Sequence, residues 1–219
     1  MGLAELWSTY GQNYIDALFA TWGMTLESFV IVMALAVAVT VMRVSPLKPL
    51  RVFGDFYVQV FRNIPGIALL IIVVYALPPL KIVLPYRTCV IVATVLLGSA
   101  FGSENFMSGI NTVGVGQVEA ARSLGMGFTM ILRRIVIPQA LRSSVLPMTN
   151  LFIAVMLTTA LGSQVPLVPQ ELTGVVNYIN TRAMGGVAAF FISALGYLAT
   201  AFAVSVIGNR IDKKVRILR

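Results

Sequence analysis

Residues 116–138 read GQVEAARSLGMGFTMILRRIVIP and lie between long apolar runs, yet they carry one glutamate, three arginines and three glycines. Residues 115–124 are rich in Ala, Leu, Gln, Glu and Arg, all good helix formers, and Gly125 stands where a left-handed residue ends a helix. After Gly127, the side chains of Phe128, Ile131, Leu132 and Ile135 recur at helical spacing on one face, while Thr129, Arg133 and Arg134 fall elsewhere. Pro138 is expected to interrupt this second helix, because a prolyl ring removes a donor and crowds the preceding turn. The stretch therefore reads as two short rigid helices joined at a glycine and set at an angle. Two uses fit it: a surface that docks another protein and passes movement to the flanking spans, or a helix pair lying on lipid.

The rest of the chain says what those flanks are. Its 219 residues are 58% hydrophobic and 11% charged, against roughly 25% charged in an average soluble domain, so it reads as an integral membrane protein. Histidine is absent and Cys89 is the only cysteine, in an apolar run, which excludes imidazole chemistry and intrachain disulfides and leaves no thiolate metal site. Cys89 is expected to be a small packing residue. The first 23 residues lack the basic start and compact apolar core of a cleavable signal, and Leu6 stands where N-myristoylation requires Ser or Thr. They are read as a short amphipathic helix offering Trp7, Tyr10 and Tyr14 to a membrane interface.

A bilayer core of about 30 Å needs about 20 apolar residues per helix. Five segments qualify, at about 23–42, 56–77, 88–108, 144–165 and 186–207, leaving a connection at 109–143. Arg62 and Asn63 interrupt the second span and belong near an interface. With the C-terminus inside, the inner side collects Arg43, Lys48, Arg51, Arg62, Arg122, Arg133, Arg134, Arg142, Arg210, Lys213, Lys214, Arg216 and Arg219. The outer side keeps Lys81, Arg87 and Arg182. That bias places the N-terminus outside and both the quoted loop and the C-terminal tail in the cytoplasm. The net charge of +8 is then explained by topology and anionic lipid, without nucleic acid.

Glu119-Ala120-Ala121, then three residues, Gly125, nine residues, and Ile135-Val136-Ile137-Pro138 resemble the EAA loop in permease subunits of ATP-binding cassette importers, with Ile137 replacing the usual leucine. "GMTLESF", "FRNIPGIALLIIV" and "SENFMSGINTVGVGQVEAARSLGMGF" extend the resemblance over most of the chain to the polar amino acid importer permeases. "MRVSPLKPLR" and "SGINTV" are similar to glutamate permeases of actinobacteria. The resemblance implies an all-α, type I importer permease of five transmembrane helices forming one domain, 1–219, in the bacterial plasma membrane. It also implies that the helix bearing Glu119 inserts into a groove of a cytoplasmic ATPase. Ala120, Ala121 and Leu124 would fill that groove, Glu119 would meet a basic group, Gly125 would allow the turn, and Pro138 would close the motif. Two ATPase copies, a second permease and a solute-binding protein complete the implied assembly.

The chain has no glycine-lysine phosphate loop, so ATP and Mg are expected in the partner ATPase and no cofactor here. An intramembrane enzyme would need a nucleophile with a base or a metal cluster, and neither constellation is present in the sequence. An ATP-independent channel or secondary transporter would call for charged relays or internal repeats, and neither stands out. Candidate path residues are Arg62, Asn63, Glu104, Asn105, Asn150, Thr158, Thr159 and Gln164. Arg62 and Glu104 share a depth, which leaves open a structural pair or direct solute contact. Where relatives often read lysine-asparagine-threonine-serine in the fourth span, this chain reads Met156-Leu157-Thr158-Thr159-Ala160. An anionic solute would then need charge from Arg62, from helix N-termini or from a second, non-identical permease. The outer connection, 163–186, with a helix-like stretch at 171–180, reads equally as a plain link or a surface receiving a binding protein.

Overall fold

The first helix of the computed structural model, α1 (Leu3–Val44), runs unbroken for 42 residues. At 1.5 Å per residue it is about 63 Å long, about twice a bilayer core. The separate amphipathic helix expected before residue 23 is thus the first half of one rod. It stays helical because it has a partner: Leu6, Tyr14 and Ala17 pack against Leu172, Val175, Val176 and Ile179. Tyr14, expected among lipid headgroups, is buried instead and donates its hydroxyl to the Ala189 carbonyl at 3.0 Å. The structure describes residues 2–183 and 186–215, so Arg216 and Arg219 of the basic tail fall outside it.

A straight second span over 56–77 is not what forms. Helix α2 (Lys48–Asn63) and helix α3 (Gly66–Ile71), which continues through a π turn (Ile72–Ala76) and a 3-10 turn (Pro78–Leu80), meet at a bend of 103°. Pro65 causes the break, because its ring forces Ile64 into extended backbone, at φ −84 and ψ 128. Helix α4 (Tyr86–Asn111) follows, and α8 (Val145–Thr158) runs on as a 3-10 segment (Thr159–Gln164). Helix α9 (Leu172–Asn180) and the long α10 (Gly186–Val215) complete the bundle. Helices α1, α4, α8 with its extension, and α10 are long and apolar enough to cross a membrane; the bent pair α2–α3 has the length and composition of a fifth crossing only when its two arms are taken together.

Between α4 and α8 the chain forms α5 (Val115–Ser123), α6 (Phe128–Ile131), a π turn (Leu132–Val136) and α7 (Ile137–Ser143). Pro138 does not interrupt the helix as expected. It sits in the first turn of α7, where a missing N–H costs little, and the widened π turn before it makes room for the ring.

Helix α4 is the centre of the bundle and packs against α1, α2, α7 and α8. Its glycines permit that closeness: a Cβ at Gly98 would come within 2.7 Å of a Val32 methyl, and one at Gly102 within 2.7 Å of the Ala36 Cβ. Close approach through small residues is how membrane helices associate when lipid is as apolar as their side chains. Gly102→Val should therefore destabilise the fold by about 1–3 kcal/mol through overpacking. Unfolding of the purified protein in detergent measures this, and wild-type stability would show that α1 and α8 can move apart at no cost.

Candidate functional site

The loop between α4 and α8 ends its first helix as the sequence anticipates. Gly125 adopts φ +79, its N–H donates to Arg122 O at 2.9 Å, and the Met126 N–H reaches Ala121 O at 3.1 Å. These two bonds make a Schellman cap, which only glycine enters without strain. Ala121, read as part of a partner-facing surface, turns inward and packs with Val113, Ile131 and Val136. The reason is helical spacing: one face of so short a helix must cover its own loop, and Ala121 lies on it. Glu119 and Ala120 remain exposed, and Leu124 is 83% exposed. Gln139 Nε2 donates to Gln117 Oε1 at 2.7 Å, tying α5 to α7. Helix α7 in turn abuts α4, because a Cβ at Gly109 would meet the Ser144 hydroxyl and the Ala140 carbonyl.

A cavity of about 650 Å³ opens on the face of α3, α4 and α8. Among the described residues, Arg62 is its one charged wall residue; Thr94, Thr158 and Gln164 add polar atoms, and the rest is aliphatic apart from Phe101. Three candidate path residues, Arg62, Thr158 and Gln164, therefore meet there, and the others do not line it. The Asn63 amide donates to Gln59 O of its own helix at 2.6 Å. Asn105 donates to Pro147 O at 3.0 Å, joining α4 to α8. Thr159 is buried and donates to Met156 O at 2.6 Å, and Asn150 is exposed away from the cavity. Thr158 spends its proton on Ala154 O at 2.8 Å, so it offers the cavity an acceptor more readily than a donor.

Glu104 is in reach of Arg62, but Arg62 is not its main partner. Arg43 Nη2 lies 2.9 Å from Glu104 Oε1, whereas Arg62 Nη1 is 3.6 Å away, past hydrogen-bond range. Arg43 also donates from Nε to Asp55 Oδ1 at 2.8 Å and from Nη1 to Ser103 Oγ at 3.2 Å. One guanidinium so joins α1, α2 and α4. Arg43 reads in the sequence as an ordinary basic residue at the end of a span, and the turn at residues 45–47 between α1 and α2 brings Asp55 to it. Arg62 lies over the Phe101 ring, 5.5 Å from its centroid.

A second polar cluster escaped notice in the sequence. Glu171, fully buried, accepts from the N–H groups of Thr173 (2.7 Å) and Gly174 (2.6 Å) and from the Tyr197 hydroxyl (2.8 Å). Burial pushes its carboxyl above the usual range, opposed in part by those donors. The Leu172 N–H donates to Thr21 Oγ1 at 3.1 Å, so α9 is fixed to both α1 and α10. The position of Glu171, directly before a helical run, was the available signal.

The family described as "Binding-protein-dependent transport system inner membrane component" matches residues 30–217. The glutamate transport system permease protein GluC of Corynebacterium efficiens is 35% identical over 173 residues, 74% of this chain and 76% of the relative. The L-cystine transport system permease protein TcyB of Bacillus subtilis is 30% identical over 221 residues, covering 98% of this chain and 93% of that one. A crystal structure of an amino acid ABC transporter with histidines superposes with a TM-score of 0.89 at 26% identity, over 94% of this chain and 96% of that one. An inward-facing MetNI methionine ABC transporter shares the fold, with a TM-score of 0.81 at 19% identity over 95% and 99% of the two chains.

The distances rank the two ion pairs. In double-mutant cycles read by unfolding in detergent, Arg43→Gln with Glu104→Gln should couple by about 1–3 kcal/mol, and Arg62→Gln with Glu104→Gln by less than about 1 kcal/mol. The reverse order would make Arg62 the structural partner.

Proposed function

Because the chain belongs to the family of binding-protein-dependent transport system inner membrane components, we propose that it forms one wall of the pore of an importer carrying a polar amino acid, glutamate foremost. It is a multi-pass plasma-membrane subunit of an ATP-binding cassette importer for amino acids, a transport component rather than an enzyme, and ATP hydrolysis belongs to its partner. The observation that carries the substrate reading is the cavity, where Arg62 lines the wall and no described acidic residue does. Such a wall suits an anionic or neutral solute and repels a cationic one. The likeness to GluC supports glutamate, and the likeness to TcyB keeps other polar amino acids in the panel to be tested.

In this reading the N-terminus and α9 face outward and the loop of α5–α7 faces the cytoplasm, as the basic residues favour. Glu119, Ala120 and Leu124 dock one of two ATPase copies, which hold ATP and Mg. Ala121, Gly125 and Pro138 shape that loop from within. A second, non-identical permease faces the open cavity and supplies most of the polar contacts, and a binding protein delivers solute from outside.

Three measurements test the proposal. With its partner chains, the importer should show ATPase stimulation by glutamate in the presence of the binding protein, and stimulation by none of a panel of polar amino acids would end the reading. Glu119→Lys should abolish uptake by reversing charge at the docking face. Gly125→Pro should do so because proline cannot adopt φ +79 or make the N–H bond to Arg122. Normal uptake in membranes that contain either variant would remove the loop from coupling. This chain as the sole permease, reconstituted with ATPase and binding protein, should transport poorly, and full uptake would argue for a homodimeric pore.

A further inference from the structure

The ion pairs around the cavity are unequal, and the inequality has a use. Glu104 accepts a charge-assisted contact from Arg43 at 2.9 Å, and Arg43 is only 12% exposed. Arg62, 40% exposed, stands 3.6 Å from the same oxygen. Among the described residues the Arg62 guanidinium donates no hydrogen bond; its close company is Glu104 and the Phe101 ring. An arginine has five N–H donors in a planar fork matched to a carboxylate, and these face a cavity of about 650 Å³ whose other walls carry no charge. Glu104 is not a wall residue, so an entering carboxylate meets the cation before the anion.

We propose that Arg62 is the specificity-determining cation of this chain: it exchanges its loose contact with Glu104 for a carboxylate of the passing amino acid, while Arg43 keeps Glu104 neutralised. This rests on the importer reading above. The exchange is inexpensive because Glu104 retains the shorter of its two contacts when Arg62 leaves, and Arg43 stays anchored by Asp55 at 2.8 Å. Without a resident partner for Glu104, the same movement would strand a carboxylate at a half-dry depth. With one, Arg62 releases solute simply by returning to Glu104. Phe101, with its ring centroid 5.5 Å from the guanidinium carbon, adds a cation–π contact that leaves the N–H donors free.

The test is binding to the permease–ATPase complex in lipid nanodiscs by titration calorimetry, together with uptake by the importer reconstituted with its binding protein. The probes are L-glutamate, L-glutamine, which has only the α-carboxylate, and isoglutamine, which has only the side-chain one. Arg62→Gln should weaken L-glutamate binding by roughly tenfold or more, as loss of a charge-assisted hydrogen bond does, and Arg62→Lys should recover part of it. Whether L-glutamine or isoglutamine shares the loss identifies which carboxylate Arg62 holds. Glu104→Gln should do the opposite, tightening binding severalfold and slowing turnover, because Arg62 then has no anion to return to. A purely structural Glu104 gives no such gain. Unchanged affinity in Arg62→Gln, weaker binding in Glu104→Gln, or no binding of any probe to the wild-type complex overturns the inference. Where the wild type still imports, those outcomes leave the importer reading standing; absence of uptake across the panel removes that reading itself.

Discussion

Arg43 is a guanidinium held at the edge of an apolar bundle, and such a charge is tolerable only with close partners. It finds Asp55 on α2 and Glu104 with Ser103 on α4. Helix α2 has little else to hold it, since its buried residues are only Gly54 and Val58. Gly54 is the point of approach: a Cβ there would come within 2.8 Å of the Arg43 side chain. Tyr57 adds a second polar tie, with its hydroxyl 2.7 Å from Ser99 Oγ. Because polar anchors fix α2, the chain can turn at Pro65 and send α3 back into the bundle at 103°. Without the Arg43 contacts the bend would leave α2 an amphipathic rod on lipid. With them α2 stays on the bundle and delivers Arg62 to the cavity wall.

The loop end of the bundle works by stiffness. A Schellman cap stops α5, Ala121 seals it onto α6 and the π turn, and the Gln117–Gln139 bond ties it to α7. Helix α7 then meets α4 at Gly109 and runs directly into α8. In the docking role proposed for this loop, a push on exposed Leu124 has few soft joints through which to dissipate before it reaches the two helices that wall the cavity. Interfaces this tightly packed shift as units rather than bending, which is what a mechanical link requires. At the other end, Glu171 performs the same service for α9 by joining Thr173, Gly174 and Tyr197 in one network. A fully satisfied buried network rigidifies what it joins.

What the sequence showed and what it hid divide along a physical line. Four of the five long apolar helices, the glycine stop at Gly125 and the helix after Glu171 depend on local rules of hydropathy, caps and turns, and each was legible; the break at Pro65 inside the remaining apolar stretch was not. The continuous α1 was not, because residues 3–22 are helical on account of α9 and α10, which lie more than 150 residues away in the chain. Depth along a span places Arg62 beside Glu104, and the two do lie 3.6 Å apart, but the closer partner at 2.9 Å, Arg43 at the end of α1, is a contact between helices that no local rule announces. Ala121 was read by its motif and placed by its packing. Pro138 was read by its usual effect, and the π turn that absorbs it leaves no mark in composition.

On the pore reading proposed above, the cavity's chemistry bears on how a solute travels through it. Thr158 donates its hydroxyl proton to Ala154 O, and Gln164 spends one of its two amide N–H donors on Ser163 Oγ. The wall is otherwise aliphatic around Arg62 and Phe101, so most of it offers no strong hold. A path that gripped a solute along its length would trap it, because conduction needs sites favourable enough to enter and weak enough to leave. Concentrating the single cation at the Glu104 end divides the labour: the aliphatic stretch lets the solute pass, and the charged end orders it. Selectivity at this wall then resides in one side chain whose rest partner is a carboxylate, and the apolar lining sets only the size and shape of what can reach it.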